Sequence, residues 1–441
     1  MAQNISAAAP KTRATSGRPS GAEGRKRGAV RLQGRGVTIA IVVCAILVVV
    51  GIALWMVQLS GGMVQTGMRN RDSWGLYLTN FMFFVGLSAG GLIISSIPNA
   101  FGMKGFGPIS KVAIWSSVCC VCVAIGLVVV DLGGPARLWE LFVYSNLSSP
   151  LMWDILVLGT YLILSLVYLW AHLRHEAGRM SHVAMRVISI IALIIAVSVH
   201  TVTAWIFSLA PAHEFWHTAL MGPWFVASAL DCGTALVLII VVALRRAGYL
   251  KLAQSNVTNL SKMLAVFVLV DLYFFACDLL TSGYFGAGSD VVEMLTTGAL
   301  APFFWSQIIC MAIAVVMLVA PRMRTDAGVC IASALVIVGV FFKRVQIMLG
   351  GFQLANVTLG DVANEFTMTN WESGIVALGY NGVVYWPTPL EWGVTAGVIA
   401  LGVLMLLLGL RYLPLNPTED DQAEQEAAIE AQAQAAAPAE A

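Results

Sequence analysis

The stretch Val37–Leu59, VTIAIVVCAILVVVGIALWMVQL, runs for 23 residues without a charge. As a helix it reaches about 34 Å, enough to cross a hydrocarbon core of about 30 Å. It is too long for a signal-peptide core and lacks a small-residue cleavage site, so it reads as an uncleaved first span. The residues before it, 1–36, hold eight Lys/Arg and one Glu among Ala, Ser, Gly and Pro, and read as a disordered basic tail.

Further along the chain the same pattern recurs. Apolar runs at about 76–97, 111–132, 151–171, 185–208, 222–243, 262–283, 300–320, 328–348 and 390–413 bring the expected spans to ten. No period-two alternation accompanies them, which excludes a β-barrel and predicts an all-α integral membrane protein. Composition agrees: 59% of the 441 residues are hydrophobic and 11% charged, against about 25% charged in soluble domains. Between the tails, 377 residues carry 33 charges. The expected organisation is a basic cytoplasmic tail over 1–36, a ten-helix transmembrane domain over 37–413 with an outer loop at 349–389, and an acidic cytoplasmic tail over 414–441.

Orientation follows from the bases. With the N-terminus inside, the inner tail and loops collect 20 of the 25 Lys/Arg, and the outer loops collect three, Arg69, Arg71 and Arg137. That asymmetry places both termini in the cytoplasm. The basic run Arg25-Lys26-Arg27 is short and abuts a span, so it reads as a topogenic signal and no nucleic acid is implied. The outer loop at 349–389, with Trp371, Tyr380, Tyr385 and Trp386, reads as an ordered cap or docking surface.

Charges inside spans are the informative exceptions, since each costs roughly 2.5–3.5 kcal/mol near a helix centre. They are Asp131, Asp154, Asp231, Asp271, Asp278, Lys343, Arg344 and Glu391, with His200 beside them. All but Asp231 and Asp271 fall in the outer half, and the inner half is nearly free of ionisable groups. The pattern predicts a polar pocket under the outer face, with Asp271 and Asp278, seven apart on one helix face, extending it inward. An ion pair such as Asp278 with Arg344 is the bland alternative.

Other chemistry is not signalled. The eight cysteines lie in apolar runs without a Cys-x-x-Cys, so no iron–sulfur cluster is expected in this chain. One histidine, His200, lies at haem depth, so no haem is expected. His172, His175 and His182 read as a solvated inner-loop trio. His213 and His217 are four apart without a third ligand, so no metal site is expected. Gly86-x-x-x-Gly90 reads as a close helix contact.

Several motifs together resemble the NrfD-like, or polysulfide reductase membrane subunit, family. They are Trp74-Gly75 with Asn80 and Phe84–Gly91, then Asp131-Leu132-Gly133 with Pro135, Arg137 and Trp139, and Ser149-Pro150 with Met152-Trp153-Asp154. His200-Thr201 with Trp205 and Phe207, Ser228-Ala229 with Gly233, Arg344 followed by Gly350-Gly351 and Gln353, and Glu391-Trp392 complete the series. One position departs: Asp278 stands where relatives often carry Glu. The resemblance implies two four-helix bundles plus peripheral helices, in the ten-span branch found in alternative complex III and sulfur-respiration complexes. It implies a membrane anchor in a prokaryotic cytoplasmic membrane, without a redox cofactor of its own. The implied partners are an iron–sulfur electron-transfer subunit and a molybdopterin catalytic subunit on the outer face, and the bound substrate is menaquinone or another quinone.

On that basis His200, Asp154, Asp131 and Asp278 are the expected proton-handling residues of the quinone site. Arg137, Trp205, Phe207 and Arg344 are its expected binding residues, and Asp231 and Asp271 a proton path. Read without the resemblance, the residues also allow a secondary transporter or a proton-translocating subunit without quinone chemistry. The scarcity of span-interior prolines and the outward placement of polar groups weigh against a transporter.

Overall fold

The computed structural model describes residues 32, 34–69, 72–101, 107–284, 289–353 and 385–415, with 423, 425–427 and 430. Ten of its helices are long and apolar enough to cross a membrane, and the described residues contain no strand. The chain is a multi-pass integral membrane protein. The spans are α1 (Arg35–Gly61), α2 (Leu76–Phe101), α3 (Gly107–Asp131), α5 (Pro150–Glu176), α6 (His182–Ser208), α7 (Met221–Arg246), α8 (Gln254–Gly283), α10 (Ala301–Val319), α11 (Asp326–Gln353) and α12 (Pro389–Tyr412). Short helices α4 (Glu140–Val143) and α9 (Ser289–Thr296) lie between them. Each span meets the run expected from hydropathy, and most extend it by a few residues. The end where α1 begins is called proximal and the opposite end distal.

Starts are set by local chemistry. Pro150 and Pro389 open α5 and α12, where a missing N–H is harmless. Thr388 and Glu391 form a reciprocal capping box on α12, and Ser181 accepts from Ala184 N at 3.2 Å to start α6.

Helices α2, α3, α5 and α6 form one bundle, and α7, α8, α10 and α11 a second. The two meet where α2 crosses α7, and α1 and α12 pack together beside α3. The α2–α7 crossing is glycine on glycine: a Cβ on Gly90 would stand 2.1 Å from the Gly233 carbonyl carbon. Gly51 and Gly397 do the same for α1 and α12, where an added Cβ on Gly51 would meet Gly397 Cα at 2.6 Å. Without a hydrophobic drive between helices in lipid, such close backbone contact supplies the packing.

The structure corrects two expectations, the solvated His172 and the inner half free of ionisable groups. Lys111, counted with the inner-face bases, is buried on α3 and pairs with Glu176 at 2.9 Å. His172 is not solvated but buried within α5, because that helix runs on to Glu176. The proximal half of the first bundle is therefore not free of ionisable groups. The loop at 133–150 is partly helical, with a 3-10 turn at Pro135–Arg137 and then α4. Of the loop at 349–389, residues 349–353 prolong α11 and 385–389 lead into α12. The expected cap, with Trp371 and Tyr380, lies outside the described residues.

Candidate functional site

In the first bundle, Asp154 sits one turn into α5 at the distal end and is buried. Its Oδ1 accepts from Thr203 on α6 at 2.5 Å. His200, one turn earlier on α6, is also buried. Its Nδ1 faces Ala196 O at 2.7 Å and its Nε2 faces Val85 O of α2 at 3.1 Å. A ring bearing one proton satisfies only one of these carbonyls, while a ring bearing both satisfies both. His200 thus ties α6 to α2 and has a defined place for a second proton. Trp205 is 39% exposed on the same helix and meets Trp153 edge-on at 6.3 Å.

Next to this region the segment after α3, the 3-10 turn, α4 and the start of α5 line an open cleft of about 550 Å³. Leu132, Leu141, Tyr144 and Met152 give it apolar walls, and Arg137, Asn146 and Ser149 give it polar points. Arg137 pairs there with Glu140, at 2.9 Å from Nε and 2.8 Å from Nη2. That contact raises the arginine pKa and leaves Arg137 away from the buried carboxylates. Volume and lining suit a small organic ring system.

In the second bundle four charges are buried together. Lys343 on α11 pairs with Asp271 on α8, and its Nζ lies 3.9 Å from the centre of the Trp224 ring. Arg344 lies over Phe225 at 4.0 Å and donates to Ser228 Oγ at 2.6 Å. Gly86 lies against the same group, where an added Cβ would stand 3.3 Å from Cys232 Sγ. Asp231 Oδ1 accepts from Cys232 N at 2.5 Å. Asp231 Oδ2, Asp271 Oδ2, and Nε and Nη1 of Arg344 find no partner among the described residues. Buried charge in that condition calls for water. Towards the distal end Asp278 accepts from Thr218 at 2.7 Å and lines a cavity of about 50 Å³ with Glu214, His217 and Gln346. Asp278 and Arg344 are not paired; each is held by a hydroxyl.

A third cluster joins α12 to the distal ends of α2 and α3. The Glu391 carboxylate accepts from Gly67 N at 2.7 Å, Thr388 N at 2.8 Å and the Tyr385 hydroxyl. Burial first, and then the Glu391 carboxylate, push the Tyr385 phenol above its ordinary range. Asp131, the last residue of α3, keeps a buried Oδ1 without a partner among the described residues.

The expected site residues therefore fall into separate groups. Asp154, His200 and Trp205 come together in the first bundle, and Arg137 lines the cleft beyond them. Asp231, Asp271 and Arg344 come together in the second, with Asp278 at its distal mouth. Phe207 is fully buried among Trp74, Trp216 and Phe225, a packing position rather than a cavity wall. The quoted Gly350-Gly351 pair has a packing cause, since a Cβ on Gly351 would stand 1.9 Å from Trp216 Cε2. Thr203 and Thr218, the hydroxyls that hold Asp154 and Asp278, carry no sequence signal of their own.

Two helix bundles with charge buried inside both define an integral membrane protein built around internal polar sites. Residues 64–356 match the family described as polysulphide reductase, NrfD, and the chain belongs to that family. It is 31% identical to a putative dimethyl sulfoxide reductase membrane subunit of Halobacterium salinarum, over 86% of this chain and 92% of that one. It is 24% identical to a selenate reductase subunit of Mesobacillus selenatarsenatis, over 85% and 93%. With the Hdr-like menaquinol oxidoreductase integral membrane subunit of Archaeoglobus fulgidus it shares 25% identity, over 88% and 96%.

Proposed function

We propose that the chain is the quinone-exchanging membrane subunit of a respiratory oxidoreductase. In this reading it passes electrons between menaquinol and an iron–sulfur subunit on the distal face, which serves a molybdopterin catalytic subunit. The names of its relatives support the setting: two are subunits of oxyanion or sulfoxide reductases and one of a menaquinol oxidoreductase. The observation that carries the chemistry is the buried Asp154 carboxyl, held by Thr203 one turn from His200 and close in sequence to the exposed Trp205. A quinol that gives up two electrons also gives up two protons, so acceptors must stand close to its ring oxygens.

The chain's own groups then divide the work. The apolar cleft beside α4 admits the ring from the lipid, with Arg137 and Asn146 at its polar points. Asp154 exchanges one proton, and His200 holds another against the Val85 and Ala196 carbonyls. Asp131 and Asp278 relay protons at the distal surface. Asp231, Asp271, Lys343 and Arg344 form a second, deeper path, and their unpartnered oxygens and nitrogens favour it. Bases at helix ends and in loops, such as Arg174, Arg179, Arg245, Arg246, Arg322 and Arg324, crowd the proximal end, which turns that end and both termini to the cytoplasm.

Purification in mild detergent tests the assembly. An iron–sulfur subunit and a molybdopterin subunit are expected to co-purify, and a hydroxyquinoline N-oxide quinol analogue to bind the complex. Recovery of the chain alone, with no analogue binding, removes the proposal.

A further inference from the structure

Between Asp154 and Glu214 the chain carries three arginines, Arg174, Arg179 and Arg186, and a single acid, Glu176. All three arginines stand at the proximal end of the α5–α6 hairpin, and all three are exposed. The Glu176 carboxylate is taken, since it lies 2.9 Å from the buried Lys111 ammonium. Other bases at the proximal end have acceptors within the protein. Arg245 pairs with Asp326 at 2.9 Å and Arg246 with the same carboxylate at 3.8 Å. Lys251 pairs with Glu426, and Arg324 donates to the Leu318 and Val319 carbonyls at 2.6 and 2.8 Å. Arg174, Arg179 and Arg186 meet no carboxylate among the described residues.

Local structure gathers these three charges. Gly178 takes a left-handed φ of 68°, Gly178 N donates to His175 O at 2.9 Å, and Arg179 N donates to Arg174 O at 3.0 Å. These are the two bonds of a Schellman stop, and the second ties the backbones of Arg174 and Arg179 together. The Arg174 side chain then folds back along α5, its guanidinium carbon 5.1 Å from the centre of the half-exposed Trp170 ring. Tyr168 meets Ser189, and His175 meets His182. In the register those two pairs set, Arg186 stands level with Ala171. The Arg174 guanidinium is thereby drawn towards the level at which Arg186 leaves α6. Beyond that level each helix turns an exposed apolar stripe outward, Ile163 and Val167 on α5 and Val187, Ile190 and Ile194 on α6. Their spacing of three or four residues keeps each stripe on one face.

We propose that the proximal end of the α5–α6 hairpin is a binding site for an anionic glycerophospholipid. Guanidinium groups bind phosphate oxygens in a forked, charge-assisted geometry, and three of them without carboxylate partners complement a headgroup that carries net negative charge. The acyl chains lie along the two outward stripes. Trp170 marks the boundary between headgroup and chain, the depth at which indole rings collect. A purely topogenic role asks only for positive charge on one side of the membrane, and bases already paired with carboxylates, such as Arg245, meet that need as well. A free anion would use the arginines and leave the apolar stripes without purpose. The consequence is mechanical. One headgroup bridging the end of α5 and the start of α6 clamps the hairpin whose opposite end carries Asp154 and His200. The site stands whether or not those two residues serve a quinone.

The test uses the full-length chain, with the subunits that co-purify, in a neutral maltoside detergent. Phosphatidylglycerol or phosphatidylcholine is titrated in as mixed micelles, and bound lipid is counted by native mass spectrometry. Wild type is expected to bind phosphatidylglycerol at least about tenfold more tightly than phosphatidylcholine, whose choline cancels the phosphate charge. Each basic contact near a headgroup is worth about fivefold in affinity. The variant Arg174→Gln/Arg179→Gln/Arg186→Gln is therefore expected to bind phosphatidylglycerol about a hundredfold more weakly, with its size-exclusion profile unchanged. Arg174→Gln alone, expected to cost about fivefold, serves should the triple variant fail to fold. A charge-matched variant, Arg35→Gln/Lys262→Gln/Arg322→Gln, removes three exposed bases from elsewhere towards the proximal end and is expected to bind as wild type. Equal affinity for the two lipids in wild type, or unaltered affinity in both hairpin variants, overturns the site. An equal loss in the charge-matched variant overturns it too, in favour of diffuse attraction. Displacement of the lipid by soluble glycerol phosphate overturns the lipid in favour of a free anion.

Discussion

Lys343→Met is the sharpest perturbation of the second bundle. The Lys343 side chain is 1% exposed and its partner Asp271 0%, so methionine leaves a carboxylate buried without its cation. Breaking a buried pair from one side costs roughly 3–5 kcal/mol, about two to three and a half decades in the folding equilibrium. The loss of the Trp224 contact adds to it. At about 2 °C per kcal/mol, the midpoint of thermal unfolding should fall by roughly 6 °C or more, read by fluorescence-detected size exclusion of the solubilised protein. Lys343→Met with Asp271→Leu removes one cation and one carboxylate. Arg344 and Asp231 still balance, and replacing a whole buried pair by apolar groups is often neutral. The double variant is therefore expected to recover most of the loss. A single variant as stable as wild type, or a double variant no better than the single, refutes the reasoning that these two side chains face each other as ions.

Three further outcomes follow from contacts already described. Gly351→Ala drives a methyl into the Trp216 ring and should cost about 1–3 kcal/mol, with a change in tryptophan fluorescence reporting the displaced ring. Gly90→Ala pushes α2 away from α7; a similar loss of thermal stability is expected, and Gly90→Ser should do no better. Thr203→Val keeps the shape but removes the one described donor to Asp154. Quinol-analogue turnover in that variant should fall about tenfold or more while the analogue still binds, measured by steady-state electron delivery and fluorescence titration.

The spans were legible because each is a long uncharged run, and Val37–Leu59 alone specifies a bilayer as solvent. The charges within later spans were legible for the same reason, since Asp231, Asp271, Lys343 and Arg344 have no cheap place there except a shared interior. Their partners were not. Hydropathy gives no azimuth to a helix that is apolar all round, so it does not show that Arg344 faces Ser228 while Asp278 faces Thr218. The burial of Lys111 and His172 was not legible because a polar group near a span end looks the same whether it faces water or a neighbouring helix. The packing role of Phe207 was hidden by the same ambiguity. Aromatic walls and aromatic cores have one sequence signature.

The most direct measurement is quinol-driven reduction of the iron–sulfur partner in the purified complex, compared between wild type, Asp154→Asn and His200→Ala. Quinone exchange at the distal end of the first bundle predicts that both variants retain the partner subunits and lose most of the electron transfer. Full electron transfer in both contradicts it.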